Sequence, residues 1–465
     1  MNTLNPAYFA QGIDIDHLKP PEGCRPGIDC QRWIIRGARV LDPASGLDAV
    51  TDVFIDKAGI VAVGEAPPDF NTENVMDATG LWLLPGLIDS WARLREPGQE
   101  HKATIASESR AATASGITTV CIPPDTDPVI DTPAVVRLIK RRAQLAGGAR
   151  ILSIGALTQD LEGKRLAEMV DLQEAGCVAV SNILKPVENL AVMRRAMEYA
   201  NTFDMLVIVQ PQDRALAHGG CAHEGAVASR LGLPGIPVAA ETAAMAQVLA
   251  LVEETGARVH FVNISSARAA QMLEQARQDG LPVSGGVSAH QLFLSEMDTD
   301  AFDANCHVIP PLRSLRDRDA LLDAVARGVI EVIHSDHQPH EGDAKTEPFP
   351  DAAPGISALE TLLPLTLRLV ENGTLSLLHA LHRVTSGPAQ LLRLKAGGIA
   401  PGLRADLCLY DPQAAWTLDE QQILSRGKNT PFSGWDFSGK ITHTWVAGRL
   451  VFSCKSCYQS GADTF

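Results

Sequence analysis

At 465 residues, 45% hydrophobic and 20% charged, the chain has the composition of an ordinary globular protein and is longer than one core usually needs. Its formal net charge of −15, with no dense run of lysine or arginine, excludes a surface built for nucleic-acid phosphates. No apolar run approaches the ~20 residues of a membrane span, and Met1–Gln11 lacks the basic and apolar regions of a secretion signal. The nine cysteines are scattered and odd in number, so reduced thiols in a cytoplasmic protein are expected rather than a disulfide framework. Cys454 and Cys457 form the one C-x-x-C; without a second pair or a neighbouring histidine they read as two surface thiols.

Residues 1–30 carry Pro-Pro and Pro-Gly turns and little periodicity, the pattern of an extended arm. From Trp33 to Val75 the pattern changes to short alternating runs, which predict half-buried antiparallel strands. A matching set returns over Ala405–Asp411 and Ile441–Phe452. Both termini are therefore expected to build one small β-sandwich domain, over 31–83 and 401–455, with the middle of the chain inserted and a tail over 456–465. Across 84–400, apolar β-branched runs stand at 84–90, 117–123, 150–157, 176–182, 205–211, 258–265, 281–288 and 329–336. Helical patterns such as Ala103–Ala114, Pro133–Leu145, Val187–Ala200 and Ala240–Thr255 alternate with them. That rhythm predicts an α/β fold, a closed (β/α)8 TIM-like barrel. An open doubly wound sheet would ask for G-x-G-x-x-G after the first strand, and none is there. The stretch Ala358–Leu394 reads as helices packed outside the barrel.

In such barrels the chemistry gathers at the C-terminal ends of the strands. The first run enters Leu84–Gly98, where strand alternation puts Asp89, Trp91, Arg93 and Arg95 on one face before a turn at Glu96-Pro97-Gly98. The second leads into Pro123–Pro128, the fourth into Ser181-Asn182, the fifth into Gln210–Asp213 and the sixth into Asn263–Ser265. The eighth ends in Ser335-Asp336-His337-Gln338-Pro339-His340.

From about residue 33 to 453 the chain resembles the dihydroorotases of the amidohydrolase superfamily. The motifs that carry the resemblance are Leu94-Arg-Glu-Pro-Gly98, Ile309-Pro-Pro-Leu-Arg313, Asp336-His-Gln-Pro-His340, Gly355–Glu360, Gly402–Asp406 and Asn429-Thr-Pro-Phe432. The resemblance implies a metal-dependent barrel, the metal held by histidines and carboxylates at the strand ends. Carried over position by position, the H-x-H pair falls on Trp91 and Arg93, and the strand-four acid falls on Asn182 or Ile183. The strand-five histidine falls on Gln210 and the strand-six histidine on Asn263, with His260 kept at the start of that motif. The strand-eight aspartate, the family's general base, is kept as Asp336. Of the substrate positions, Arg95 and His340 are kept, while two asparagines become Asp125 and Ile309.

A bound metal lowers the pKa of its water to about 7 and polarises the scissile amide. One carboxylate among neutral amides does not hold such a cation. The sequence therefore predicts no cofactor and no catalytic residue in use. An Arg93–Asp336 ion pair in the place of the metal is expected, with Trp91 filling the vacated volume. In this the chain is similar to the pseudo-dihydroorotases that accompany aspartate carbamoyltransferase in some bacteria. That resemblance implies an assembly role beside the aspartate carbamoyltransferase catalytic chain in pyrimidine biosynthesis, with self-association. Two alternatives stand beside it. One is a working zinc-dependent cyclic amidase acting on dihydroorotate, a hydantoin or allantoin; the other is a sensor that holds such a ligand through Arg95 without reacting it. A metal site relocated to His334, His337, His340, Asp336 and Glu341 is a further reading; a covalent hydrolase has no G-x-S-x-G motif to support it.

Overall fold

A computed structural model of the chain describes residues 32–57 and 59–454; the expected arm over 1–30, the tail over 456–465 and Cys457 lie outside them. Strands β1 (Trp33–Asp42), β2 (Leu47–Asp56), β3 (Gly59–Val63), β4 (Val75–Asp77) and β5 (Trp82–Pro85) open the described chain. The barrel strands follow: β6 (Leu87–Asp89), β7 (Ile117–Ile122), β8 (Arg150–Ala156), β9 (Cys177–Ser181) and β10 (Val207–Val209). After a small pair, β11 (Ala222–His223) and β12 (Gly235–Ile236), come β13 (Val259–Phe261), β14 (Val283–Ser288) and β15 (Val332–His334). Strands β16 (Leu407–Thr417), β17 (Asp436–Val446) and β18 (Arg449–Ser453) end it.

The eight strands β6 to β10 and β13 to β15 form one parallel sheet in the order β15-β14-β13-β10-β9-β8-β7-β6. The two ends of that order meet beyond the strands, where Ala92 bridges His337 and the Arg93 N–H donates to the His337 carbonyl at 2.8 Å. All eight predicted runs are barrel strands. With one face on the helices and the other in the barrel interior, strands such as Ile117–Ile122 are buried along their whole length instead of alternating. The helices between them are α1 (Ile105–Ala114), α2 (Pro133–Ala146), α3 (Met169–Ala175), α4 (Leu190–Thr202), the short α5 (Arg214–Ala217) and α6 (Ala226–Leu231), α7 (Val238–Thr255), α8 (Ala267–Gln278) and α9 (Leu315–Arg327). Their ends follow local chemistry. Thr104 and Ser107 make a capping box on α1, Pro133 takes the first position of α2, and Gly147 ends α2 in the left-handed region at φ +67°.

The first barrel strand is shorter than expected. Leu84 and Pro85 belong to the other sheet, where they pair with Cys408 and Leu407, and the chain changes sheets at Gly86. A Cβ on Gly86 would meet the Thr118 side chain at 2.3 Å, so only glycine permits the crossing. That other sheet joins β1–β5 with β16–β18, in the order β18-β17-β16-β5-β1-β2-β3, with β4 also on β1. It wraps its own core of Ile35, Val40, Ile55, Leu83, Leu407, Leu409 and Trp445.

Helices α10 (Leu362–Glu371), α11 (Leu377–Val384) and α12 (Ser386–Leu391) occupy the predicted helical stretch. Its end is not outside the barrel, as expected. Ala389, Leu392, Leu394 and Ala396 join the cluster inside it, with Leu152, Ile154, Leu206, Ile208 and Val262. The Arg258 guanidinium, at the foot of β13, donates to the Leu391 carbonyl at 3.2 Å, so α12 plugs the N-terminal mouth. Among the described residues no helix is long and apolar enough to cross a membrane.

Candidate functional site at the barrel mouth

The site begins where β6 ends. Asp89 is fully buried, and its carboxylate accepts from the Ser335 backbone N–H at 3.1 Å, from the Ser335 hydroxyl and from the Trp91 N–H at 3.4 Å. It clasps strand one to strand eight. Burial pushes its carboxyl above the usual carboxylate range, against the Ser335 and Trp91 bonds. Pairing continues beyond the clasp, where the Ala92 N–H donates to the Cys121 carbonyl at 3.0 Å, and of the expected shared face of Asp89, Trp91, Arg93 and Arg95 it is Arg95 that leaves, in the left-handed region. Trp91, with no exposed surface, packs among Ile88, Cys121 and Ile154 in the barrel interior. Ile183, one of the two candidates for the strand-four acid position, lies in the same apolar cluster.

Arg93 turns inward. Its Nε donates to Asp125 Oδ2 at 2.7 Å and its Nη1 lies 3.5 Å from Asp336 Oδ1, while Nη2 has no partner. The guanidinium is 5% exposed and Asp336 2%. Burial would strip the proton from Arg93, but the two carboxylates outweigh it and hold the pKa above its ordinary value. Burial likewise pushes Asp336 up to about 6, although Arg93, Asn263 and Gln338 pull it down. The expected pair with Asp336 is therefore present, and it is the longer of two. Asp125, at one of the two substituted asparagine positions, is the nearer counter-ion.

The amides that replace metal ligands are bonded into the fold. Asn182 accepts from the Thr158 hydroxyl at 2.8 Å and donates to the carbonyls of Leu161 and Lys185 at 3.2 and 2.6 Å. Asn263 donates to Gln210 Oε1 at 3.2 Å, and its own oxygen lies 2.6 Å from His334 Nε2. Three buried histidines stand together in the interior around Gly286: His260, whose Nδ1 meets Ser284 Oγ at 2.8 Å, His334 and His290. Burial holds His260 and His290 near pKa 3, and His334 well below its ordinary value, so all three are neutral. Each keeps one ring nitrogen without a partner.

The retained substrate positions are also internally engaged. Arg95, in the left-handed region at φ +64°, donates through Nε to the Pro339 carbonyl at 3.0 Å, and its Nη2 lies 2.9 Å from His340 Nε2. His340 Nδ1 faces Lys102 Nζ at 3.2 Å. The Pro354 carbonyl, 3.0 Å from Nε2, takes the ring proton, so Nδ1 is the acceptor for Lys102. Burial, then Arg95, Lys102 and Lys345, drive the His340 pKa down to about 2. Ile309, partly buried, offers only hydrocarbon. The space left beside Arg93, Arg95 and Asp125 is about 20 Å³, roughly one water.

The relocated metal reading fails on placement. His334 faces Asn263, His337 lies between Glu108 Oε2 at 2.9 Å and the Ala358 N–H at 3.0 Å, and His340 faces the two cations. Among the described residues no group of three or more His, Cys, Asp or Glu side chains is arranged to hold a metal ion. The residues at the family's metal positions do not fit a divalent cation either. They offer one carboxylate, already paired, beside a buried guanidinium of like charge. Sequence reasoning missed Lys102 and Glu108, which carry no motif; each is found only because α1 packs beside the mouth.

Comparison with known proteins agrees on the fold and the lineage. A family profile described as dihydro-orotase-like matches residues 80–269, and one described as the amidohydrolase family matches 332–452. The chain is 50% identical over 416 residues to a dihydroorotase-like protein of Pseudomonas putida, covering 90% of this chain and 98% of that one. It is 42% identical over 419 residues to a dihydroorotase of Anaeromyxobacter dehalogenans, covering 90% and 97%. Among solved structures, the L-hydantoinase (dihydropyrimidinase) of Arthrobacter aurescens superposes with a TM-score of 0.81 at 22% identity, over 91% of this chain and 96% of that one.

Proposed function

Because this chain belongs to the dihydroorotase-like family of amidohydrolases, we propose that it is a member that has exchanged catalysis for assembly. It serves as a structural subunit beside the catalytic chain of aspartate carbamoyltransferase, in the cytoplasm, in the pathway that makes pyrimidines. It uses no metal and no other cofactor. The observation that carries the reading is Arg93. A buried guanidinium, set between Asp125 and Asp336, stands on a strand-one position where the family places a metal-binding histidine. A fixed positive charge there opposes a dication, and with the remaining space near 20 Å³ no cyclic amide fits beside it.

Asp336 alone does not restore the reaction. A base with a pKa of about 6 is poised to accept a proton near neutrality. Yet this carboxylate faces Arg93 on one oxygen and accepts from Gln338 at 3.3 Å on the other. What is left on this side of the mouth is a filled, internally paired cluster.

The test is co-expression with the aspartate carbamoyltransferase chain of the same genome, followed by size-exclusion chromatography with light scattering, metal analysis and a dihydroorotate hydrolysis assay. A mixed assembly, metal far below one ion per chain and no hydrolysis are the expected results. Stoichiometric zinc with turnover would establish the cyclic amidase instead, and two chains that elute apart would remove the partner.

A further inference from the structure

The barrel mouth has two halves, and only one is filled. Over the ends of β8, β9 and β10, between α4 and α7, lies a cavity of about 510 Å³, well inside the range of small-molecule sites. Its walls are apolar: Leu157, Val187, Met193, Ile208 and Val248 line it. Its floor holds the Ser181 hydroxyl, which is fully buried and has no hydrogen-bond partner. A buried hydroxyl left unsatisfied costs about 1–3 kcal/mol in general, which marks the place for a ligand atom or a water. The carboxamides of Gln212 and Gln247 also line the cavity, and none of the described side-chain hydrogen bonds uses them.

The charges at the rim are accounted for. Glu188 pairs with Arg214 at 3.6 Å, and Asp213 caps α5 by accepting from the Leu216 N–H at 2.9 Å. Two carboxylates and one guanidinium leave the rim slightly negative, so an anion gains nothing there. Asn182 and Gln210, the two former metal positions that reach this wall, are already bonded to Thr158 and Asn263. What is available to a guest is therefore one hydroxyl, two carboxamides and, at the exposed edge, the His218 imidazole.

We propose that this cavity binds a small, uncharged ring compound through an amide edge, with Ser181, Gln212 and Gln247 matching that edge and the apolar wall covering the ring. The site is independent of the Arg95–His340 side of the mouth and of any metal. It is independent also of the proposed assembly, so the two succeed or fail separately.

Isothermal titration of the full chain with two matched pairs tests it: nicotinamide against nicotinate, and benzamide against benzoate. The neutral member of each pair is expected to bind saturably at one site in the millimolar range or below. Its carboxylate counterpart is expected to bind about ten-fold more weakly or not at all. Ala244→Trp, which projects an indole into the cavity from α7, should abolish the binding. Gln212→Ala, on a partly exposed side chain, should weaken it about ten-fold with the melting temperature unchanged, and serves if the tryptophan variant does not fold. Arg95→Ala should leave it within about two-fold, because distant sites act independently. The proposal is overturned if neither amide binds, if the carboxylates bind as well as the amides, or if Arg95→Ala removes the binding.

Discussion

Replacing Arg93 by alanine would leave the Asp125 and Asp336 carboxylates without the cation they share. Asp336 stands at about 6 in the folded chain against an ordinary value of 3.8, which at pH 7 costs about 3 kcal/mol at 1.36 per unit. Without Arg93 that pKa rises further. Once it passes 7 the carboxyl is protonated, and the cost saturates at about 4 kcal/mol. Asp336 alone thus adds about 1 kcal/mol, and Asp125 with the lost packing adds the rest of the ~3–5 expected when one partner leaves a buried pair. We therefore expect R93A to lose about 3 kcal/mol at pH 7 by urea denaturation. The sharper signature is the pH dependence. A carboxyl whose folded pKa is raised binds more protons folded than unfolded, so its contribution falls as pH rises between the two values. In the wild type that fall runs from about 4 to about 6 and is then over. In R93A it should continue above pH 6, by up to ~1.4 kcal/mol per unit, relative to the wild type. Adding Asp336→Asn should flatten the difference. An R93A protein within about 0.5 kcal/mol of wild type, with a parallel profile from pH 6 to 8, would refute the claim that this guanidinium neutralises the mouth.

Other outcomes are specific to single features. Trp91→His with Arg93→His restores the H-x-H spacing but leaves amides at Gln210 and Asn263, so metal analysis should find no tightly held zinc and the assay no dihydroorotate hydrolysis. Trp91→Ala empties the largest fully buried side chain of the interior and should cost ~3–5 kcal/mol, read as a lower urea midpoint. Glu108→Ala leaves His337 without its acceptor and should cost about 3 kcal/mol at neutral pH. The Glu108 carboxyl is held below its ordinary range, although burial opposes this, by the His337 bond. Its contribution is therefore present above 4.5 and lost as pH falls, and wild type and variant should converge in acid. His260, His290 and His334 are neutral when folded and protonate when unfolded, so stability falls as pH drops below 6.5. Each of the three should add up to ~1.4 kcal/mol per pH unit to the wild-type slope, and His290→Leu should remove one such increment.

The barrel was legible because its strands are buried on both faces, and residues 117–122 or 150–156 declare that burial by composition alone. The replacements at the family's metal positions were legible for a related reason: tryptophan, arginine and amides are poor ligands wherever they sit. What sequence could not supply was the third dimension of the mouth. Gly86 reads as an unremarkable turn residue until Thr118 is seen 2.3 Å from its missing Cβ. Asp125 lies 32 residues from Arg93, on the next strand's loop, and its sequence context suggests only a substituted asparagine. Arg95 left the expected alternation because its backbone turns left-handed, a property of the loop's path and of no motif.

Arg93 also changes what the finished fold has to wait for. A mouth held by an ion is complete only when the cell supplies that ion, and a chelator can take it apart. Here the fastener between strands one, two and eight is part of the polypeptide, synthesised before residue 100 and present at fixed stoichiometry. On the proposed metal-free reading, the barrel matures without a delivery step and its shape is indifferent to metal starvation. Its vulnerability moves from metal supply to mutation: one codon now carries what a diffusible ion and several ligands would otherwise share.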